Sequence, residues 1–197
     1  MKHDRLHPSR SKALPHDLST TPPHSDPLHT AFLKEYGRIE LRPIRPADEA
    51  RMIGFHKGLS EESIYLRYFE HISLDTRTLH ERLAVVCTNT TKSFAIVAER
   101  HPTCHHSGGI LGVGRLTTTD MPYVASFAIL ISDECQKTEL PRELLKHLVG
   151  IARAHDFAYL EGELLVADHD TLNLCRDLGF TLQTVPEEGI VRVRYSL

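Results

Sequence analysis

Histidine and cysteine are concentrated in one short run, residues 101–106, which reads HPTCHH. Imidazole and thiolate groups are common zinc ligands, but a zinc site usually needs four ligands supplied by separated pairs. This run is a single short segment without a second half, so we interpret it as a solvated hairpin tip between two strands. The histidines nearer the N-terminus are irregularly spaced, and we expect no metal site in either place.

A second feature that could bind a ligand is the start of a predicted helix at Pro141. Backbone N–H groups at a helix N-terminus point at bound phosphates, and glycines let the ligand come close to the backbone. The segment that enters this helix, residues 136–141, reads QKTELP and contains no glycine. Pro141 suits the first helical position but has no N–H to donate. The segment therefore predicts either a helix start without a ligand or a phosphate site that is short of donors.

Regular elements surround these features from residue 38 onward. Residues 38–44 alternate between polar and apolar positions, as a half-buried strand does. Ser60 is a predicted helix cap, and Gly179 is expected to end the helix before it. Strands are predicted at 38–44, 93–99, 109–118, 123–131, 157–165, 180–185 and 190–195. Helices are predicted from residues 46 and 60 and at 76–85, 141–154 and 168–178, which together indicate one α/β domain.

The first 36 residues differ in composition from the rest. They contain five prolines and five histidines, and apolar residues are sparse until Ala31. Such a segment buries too little surface to offset its ordering entropy. We therefore predict a flexible tail at 1–36 and a folded domain at 37–197.

Composition excludes several classes of protein. The formal net charge of −3 lacks the basic surplus that nucleic-acid binders show. No run approaches the roughly 20 apolar residues that span a bilayer, and the first residues lack the apolar stretch of a secretory signal. The four cysteines form no CxxC pair. We expect a cytoplasmic protein with reduced cysteines and no nucleic-acid or membrane partner.

Five motifs carry a resemblance to a known family. They are LRPIRPADE at 41–49, LSEESIYLRYF at 59–69, GVGR at 112–115, FAILI at 127–131 and LGF at 178–180. Over residues 38–197 the chain resembles the GNAT N-acetyltransferases, and more closely their bacterial protein-lysine acetyltransferase branch. The resemblance implies an α/β (α+β) fold with a mixed, mostly antiparallel central sheet of about seven strands flanked by helices. It also implies transfer of an acetyl group from acetyl-CoA, or of another acyl group from its CoA thioester, to a protein lysine or a small amine.

The resemblance also implies where the cofactor binds. The strand at 127–131 is expected to splay from its neighbour and present backbone N–H groups to the acyl carbonyl. The family pattern Gln/Arg-x-x-Gly-x-Gly/Ala falls on 136–141, where Gln136 matches but Glu139 and Pro141 replace the glycines. A Glu139 carboxylate 4 Å from a phosphate would cost about 4 kcal/mol at an effective dielectric near 20. The implied cofactor-binding residues are Ile129, Leu130, Ile131, Gln136, Lys137, Thr138, Glu139, Leu140, Pro141, Arg142 and His169.

The resemblance assigns proton transfer to two positions that depart from the family. Ser126 stands where relatives carry the glutamate that deprotonates the amine, and a serine is a poor base at neutral pH. Cys175 stands where many relatives place a tyrosine that protonates the leaving thiolate. It either donates that proton as a thiol or packs as a small apolar side chain. Candidates for a substitute base are His105, His106, Asp120 and Tyr123.

These departures leave more than one function open. The first is an N-acetyltransferase of weak or lost activity, since Ser126, Glu139, Pro141 and His169 all depart from the pattern within one site. The second is a non-catalytic GNAT-fold sensor, regulatory or protein-binding module on the same scaffold, because a fold alone does not fix a function. A structural role, with the proline- and histidine-rich tail as a docking arm, is a third.

Overall fold

The structure is a computed structural model that describes Leu18 and residues 29–34, 36–101 and 108–197. Residues 102–106 of the predicted hairpin tip and most of the predicted tail lie outside the described residues. The strands are β1 (His29–Leu33), β2 (Gly37–Pro43), β3 (Ser93–Arg100), β4 (Gly109–Thr118), β5 (Val124–Ile131), β6 (Tyr159–Leu165), β7 (Thr181–Val185) and β8 (Ile190–Ser196). The α-helices are α1 (Glu49–Lys57), α2 (Glu61–Tyr68), α3 (Leu74–Arg77), α4 (His80–Val86), α5 (Leu140–Ala154) and α6 (His169–Asp177).

All eight strands join one sheet in the order β1-β2-β3-β4-β5-β6-β8-β7. Every neighbouring pair is antiparallel except β5 and β6, which run parallel. The parallel pair is connected through α5, which packs on β4 and β5 as a crossover helix does. The predicted α/β fold with a mixed, mostly antiparallel sheet is confirmed, although it has eight strands rather than about seven.

The additional strand lies in the segment that the sequence assigned to the tail. β1 pairs with β2 along its whole length, from His29 opposite Leu41 to Leu33 opposite Gly37. Ala31 and Leu33 point into the core, whereas Phe32 between them is 77% exposed. This alternation over only a few apolar residues was too short to stand out beside the prolines. The sheet therefore begins before the predicted boundary at residue 37.

The predicted helix at 76–85 is wrong as a single element. It is divided into α3 and α4 by Thr78 and Leu79. The Thr78 hydroxyl donates to the Leu74 carbonyl at 2.9 Å, and Leu79 has an extended backbone with ψ of 132°. A threonine side chain that bonds the preceding turn competes with helix continuation, which is why apolar spacing alone did not reveal the break.

Glycines in β4 set how closely α5 approaches the sheet. A Cβ on Gly114 would lie 3.0 Å from Leu144 Cδ2 and 3.1 Å from Leu148 Cδ1. A Cβ on Gly112 would lie 2.8 Å from Leu144 Cδ1. The GVGR motif thus serves helix packing, with α5 on one face of the sheet and α1, α2 and α4 on the other.

We expect Gly114→Ala to destabilise the domain because the added methyl overpacks the contact with α5. Overpacking typically costs about 1–3 kcal/mol, which corresponds to a fall in Tm of about 2–10 °C in a chain of this size. Thermal unfolding measures the effect. Gly150→Ala is the matched control, since nothing lies within 4 Å of a Cβ there and alanine favours the α5 helix. A Gly114→Ala protein as stable as the wild type would contradict the close approach.

Charged residues of the LRPIRPADE motif form a buried network instead of lying on the protein surface. Arg42 donates to both carboxylate oxygens of Asp48 at 2.7 Å and to Glu99 at 2.7 Å. The Asp48 side chain is only 1% exposed, and the Arg45 amide also donates to it at 2.8 Å. Arg51 reaches both Asp48 and Glu99 from α1. The motif therefore joins β2, β3 and the start of α1, which explains it without a role in chemistry.

Candidate active site

The central strands β5 and β6 diverge in the middle of the sheet. They pair at only three positions, the last of which joins Ser126 to Glu161. Beyond that point β5 continues to Ile131 and β6 to Leu165 without pairing to each other. β5 stays paired to β4 on its other side as far as Ile131. The predicted splay of 127–131 is confirmed, and it leaves one backbone edge of β5 without a strand partner.

The side chain of Phe127 closes the gap on the face that carries α5. A Cβ on Gly162 would lie 2.7 Å from the Phe127 ring, so β6 needs a glycine at this point. The ring also packs on Phe180, with centroids 5.5 Å apart. Phe127 therefore forms an apolar floor at the point where pairing stops, and the open side of the gap faces α2.

A cleft of about 1040 Å³ lies on the α2 face over the start of the gap. Ser126, Phe127 and Ala128 of β5 line it, together with residues of β4, β6, β7 and β8 and of the end of α2. Its charged lining residues are Arg67, Arg115, Glu161, Glu163, Arg192 and Arg194. The alternation of a strand explains this set, because the opposite faces of β6 and β8 carry the apolar residues of the core.

Glu161 is a candidate catalytic residue that the sequence did not reveal. It faces the cleft on β6 in register with Ser126, and neighbouring strands lie about 4.8 Å apart. Its carboxylate accepts a hydrogen bond from Arg194 of β8, and its side chain remains 35% exposed. Glu163 also faces the cleft and pairs with Arg192 at 3.1 Å. The only sequence signal was the alternation of Glu161 and Glu163 around Gly162, which does not show what lies beside them.

Gln136, expected at the cofactor, is engaged by the cap of α2. Its side-chain amide donates to Ser63 Oγ at 2.7 Å and to Asp133 Oδ1 at 3.1 Å. Asp133 in turn accepts from the Ser60 amide at 2.8 Å. Ser60 caps α2 as predicted, accepting from the Ser63 amide at 3.2 Å. The loop after β5 is thus fixed to the N-terminus of α2 through side chains.

The loop offers fewer amides to a phosphate than a glycine-rich loop does. The Thr138 amide donates to the Cys135 carbonyl at 3.1 Å, and the Leu140 amide to Thr138 Oγ1 at 3.1 Å. Pro141 has no amide hydrogen. Within the described residues, the amides of Gln136 and Lys137 in the loop, and those of Glu139 and Arg142 where α5 begins, have no acceptor. The loop therefore retains two donors at the start of α5.

The charged side chains of this loop leave the helix start accessible. The Glu139 side chain is 75% exposed and lies 3.7 Å from Arg142 Nε, which holds it on the solvent side. Arg142 also pairs with Asp177 at 3.1 Å, and Lys137 is exposed. The repulsion expected from Glu139 is thereby reduced, since its charge is solvated and paired.

The remaining residues assigned to the cofactor or to proton transfer lie in different surroundings. Ile129 is half-buried, whereas Leu130 and Ile131 are buried on opposite faces of β5. His169 is exposed at the first position of α6, after the cap Asp168. Cys175 is fully buried in the core, and burial raises the pKa of its thiol to about 12. It packs as a small apolar side chain and, like Cys87 and Cys135, forms no disulfide.

Two of the other candidate bases, Asp120 and Tyr123, do not line the cleft. Asp120 and Tyr123 lie in the exposed turn before β5, and His105 and His106 lie outside the described residues. In the described part of the chain, no three histidine, cysteine or acidic side chains come together as metal ligands would. None of the described helices is both long and apolar enough to cross a membrane.

Comparison with known proteins gives consistent results. No protein-family model matches the chain. An acetyltransferase of Pseudomonas aeruginosa is 26% identical over 77% of this chain and 79% of its own length. The crystal structure of the GNAT domain of S. lividans PAT superposes with a TM-score of 0.73 at 22% identity, covering 86% of this chain and 96% of that domain.

Two solved structures with this fold contain CoA compounds. Mycobacterium smegmatis RimJ, in complex with CoA-disulfide, has a TM-score of 0.65 at 11% identity and covers 86% of this chain and 88% of its own. Salmonella typhimurium yncA, with acetyl-CoA, has a TM-score of 0.58 at 16% identity and covers 81% of this chain and 94% of its own. Together with the splayed central strands, these similarities show that the chain has the fold of the GNAT acetyltransferases.

Proposed function

We propose that this protein is an N-acetyltransferase that moves the acetyl group of acetyl-CoA, or a related acyl group, to an amine. The observation that carries the proposal is the end of β5–β6 pairing at Ser126 and Glu161, which opens a gap beside a polar cleft. The names of the similar proteins, which are acetyltransferases, support it. We also propose that it acts in the cytoplasm on a protein lysine or a small amine.

The residues of the gap fit an acyl-CoA. The free edge of β5 along 127–131 offers amides to a pantetheine chain and an acyl carbonyl, because alternate residues of a strand point their N–H groups to opposite sides. The start of α5 offers the amides of Glu139 and Arg142 to a diphosphate, and the Lys137 side chain lies nearby in the sequence. Acetyl-CoA supplies an acyl group on a thioester, whose carbonyl carbon accepts an amine nitrogen.

Proton transfer falls to Glu161 in this proposal. Its carboxylate accepts the proton that the acceptor ammonium loses, directly or through one water, so that the amine nitrogen becomes nucleophilic. A C–N bond then forms, the C–S bond breaks, and the thiolate that leaves takes up a proton to give free CoA. Ser126 contributes a hydroxyl next to the same carboxylate. The base that the family resemblance places on β5 is thus supplied from the neighbouring strand.

Binding of acetyl-CoA tests the first half of the proposal. We expect acetyl-CoA at 100 times its Kd to stabilise the full chain by about 2.7 kcal/mol, seen as a rise in Tm. Acetyl-pantetheine, which has no diphosphate, is the matched ligand and should stabilise much less if the two α5 amides bind phosphate. Equal stabilisation by the two ligands would contradict a role of the loop in binding the diphosphate.

Amine-dependent release of CoA tests the second half. With a mixture of peptides and small amines, the wild-type protein should release CoA thiol faster than the hydrolysis measured without amine. Binding without amine-dependent release would favour the non-catalytic module, for which the loss of loop donors at Leu140 and Pro141 is the supporting observation. Failure of acetyl-CoA to bind at millimolar concentration would overturn the proposed acetyltransferase function.

A further inference from the structure

The charges that line the cleft are not balanced. Four arginines and two glutamates line it. Arg194 pairs with Glu161, and Arg192 pairs with Glu163, so both glutamates are already matched. The two remaining arginines, Arg67 and Arg115, have no ion pair with any described residue. Two positive charges of the cleft therefore have no counter-ion among the residues that the structure describes.

Arg67 is half-buried at the end of α2 although no acidic side chain in the described part of the chain pairs with it. Within the described chain its guanidinium has no hydrogen-bond acceptor, and its main contact is the face of the Tyr68 ring, 4.9 Å from the ring centroid. Burial lowers the pKa of Arg67, and the nearby charge of Arg82 adds to this effect. Arginine stays protonated in proteins, so a buried guanidinium without a partner is costly unless an anion binds to it.

Arg115 is held in place by neutral groups. It projects from β4 and donates to Ser93 Oγ at 2.6 Å and to the Val86 carbonyl. Burial lowers its pKa, and repulsion from Arg67, which lines the same cleft, lowers it further. Neutral acceptors orient Arg115 without cancelling its charge, so it remains able to bind an anion.

The position of the two arginines relates them to the acceptor. Arg115 lies in register with Ala128 of β5, and Thr117 beside it lies in register with Ser126. The proposed base Glu161 follows on the next strand. The loop at 136–141 lies beyond the opposite end of β5, after Ile131. Both arginines thus line the cleft near Ser126, at the end of β5 away from the proposed diphosphate site.

We propose that Arg67 and Arg115 bind a carboxylate of the acceptor, so that the substrate is an amine with a carboxylate close to its amino group. This inference rests on the proposed acetyltransferase function. Two cationic forks on one side of the cleft bind the anion, and Glu161 on the other side approaches the ammonium. The carboxylate belongs either to a free amino acid or to an acidic residue beside a target lysine.

Kinetics with matched acceptors test the inference. The full chain is assayed with acetyl-CoA and a free amino acid such as alanine against its α-amide, alaninamide, which lacks the carboxylate. It is also assayed with a peptide whose lysine is flanked by glutamates against the same peptide with glutamines. We expect kcat/KM for the carboxylate member of one pair to be higher by about tenfold to a hundredfold. The pair that shows the preference identifies the source of the carboxylate.

Variants separate recognition from structure. Arg67→Gln and Arg115→Gln should each raise KM for the carboxylate acceptor by about tenfold or more. We expect KM for the amide acceptor, and kcat for either acceptor, to stay unchanged. Arg67→Lys should recover part of the preference. Arg176→Gln is the control for net charge, since Arg176 is exposed on α6 and its guanidinium, among the described residues, bonds just the Asn173 side chain. It should keep the wild-type preference.

Binding without catalysis distinguishes failure of this inference from failure of the proposed function. Calorimetric titration of the same carboxylate and amide compounds requires no turnover. If no acceptor releases CoA but the carboxylate compound binds more tightly, and Arg67→Gln removes the difference, the inference stands without the enzyme. Equal binding and equal rates for both members of each pair, or a preference that both arginine variants retain, would overturn it.

Discussion

Glu161→Gln should lower kcat/KM for acetyl transfer by about 10²–10⁴-fold at neutral pH while leaving the fold intact. A positioned general base contributes a factor of this size, and glutamine cannot accept the proton. The exposed ion pair with Arg194 is worth at most about 1 kcal/mol, so Tm should change by only a few degrees. Initial rates of CoA release and thermal unfolding of the same preparations measure both effects.

Glu163→Gln is the matched control for this substitution. Glu163 lies on the same face of β6, lines the same cleft and also pairs with an arginine, but it lies beyond the last paired position. Removing its charge changes the electrostatics of the cleft by the same amount. We expect a loss in rate of less than about tenfold. Equal losses in the two variants would show that charge, and not proton transfer by Glu161, governs the rate.

Rescue from the neighbouring strand makes the test of Glu161 stricter. Ser126→Glu places a carboxylate on β5 in register with residue 161, where the family resemblance puts the base. In the Glu161→Gln background this second change should raise the rate at least tenfold above that of Glu161→Gln alone. A double variant as inactive as Glu161→Gln alone would indicate that the position of the carboxylate on β6 matters, or that Glu161 has another role.

The sequence predicted the sheet well where a local pattern was sufficient. Residues 109–118 were predicted as a strand and form β4 with the same ends, because alternation and flanking turns are visible along the chain. β1 was missed because its five residues stand alone among prolines. The break between α3 and α4 was missed because it depends on one hydroxyl bond from Thr78.

The sequence could predict much less of the site, since the site depends on register between distant segments. Ser126 was found by its place before the FAILI motif, but its neighbour Glu161 is 35 residues away and is fixed only by parallel pairing. Gln136 matched the cofactor pattern, yet its side chain is bonded to Ser63 and Asp133, contacts that span up to 73 residues. Local motifs therefore identified strands and loops correctly but not the partners of the side chains in them.

Asp48→Asn should be the most destabilising single change among the charged residues of the fold. It removes the charge that Arg42, which is 4% exposed, binds with two hydrogen bonds. The guanidinium keeps an ion pair with Glu99 and a hydrogen bond to the Pro43 carbonyl. Breaking a buried ion pair from one side typically costs about 3–5 kcal/mol. In a chain of this size that corresponds to a fall in Tm of about 10 °C. Chemical denaturation and calorimetry measure the loss.

Asp177→Asn provides a control with the same change of side chain. Asp177 pairs with Arg142 at 3.1 Å, but its side chain is 62% exposed. Water solvates both charges in the wild type and the remaining Arg142 charge in the variant. We therefore expect the free energy of unfolding to fall by less than about 1 kcal/mol. A similar cost for the two variants would mean that burial of the Arg42 network does not determine its contribution.

The dependence on pH gives the Asp48 prediction a second readout. Burial by itself would raise the pKa of Asp48, but hydrogen bonds from Arg42 and from the Arg45 amide outweigh burial and lower the pKa below its ordinary value. A carboxyl group whose pKa is lower in the folded state contributes stability above its unfolded pKa of about 3.9, and that stability is lost as pH falls through the folded value. The difference in unfolding free energy between wild type and Asp48→Asn should therefore be constant above about pH 5 and shrink below about pH 4. Since asparagine does not titrate, a difference that stays constant down to pH 2 would contradict an ionised Asp48 in the core.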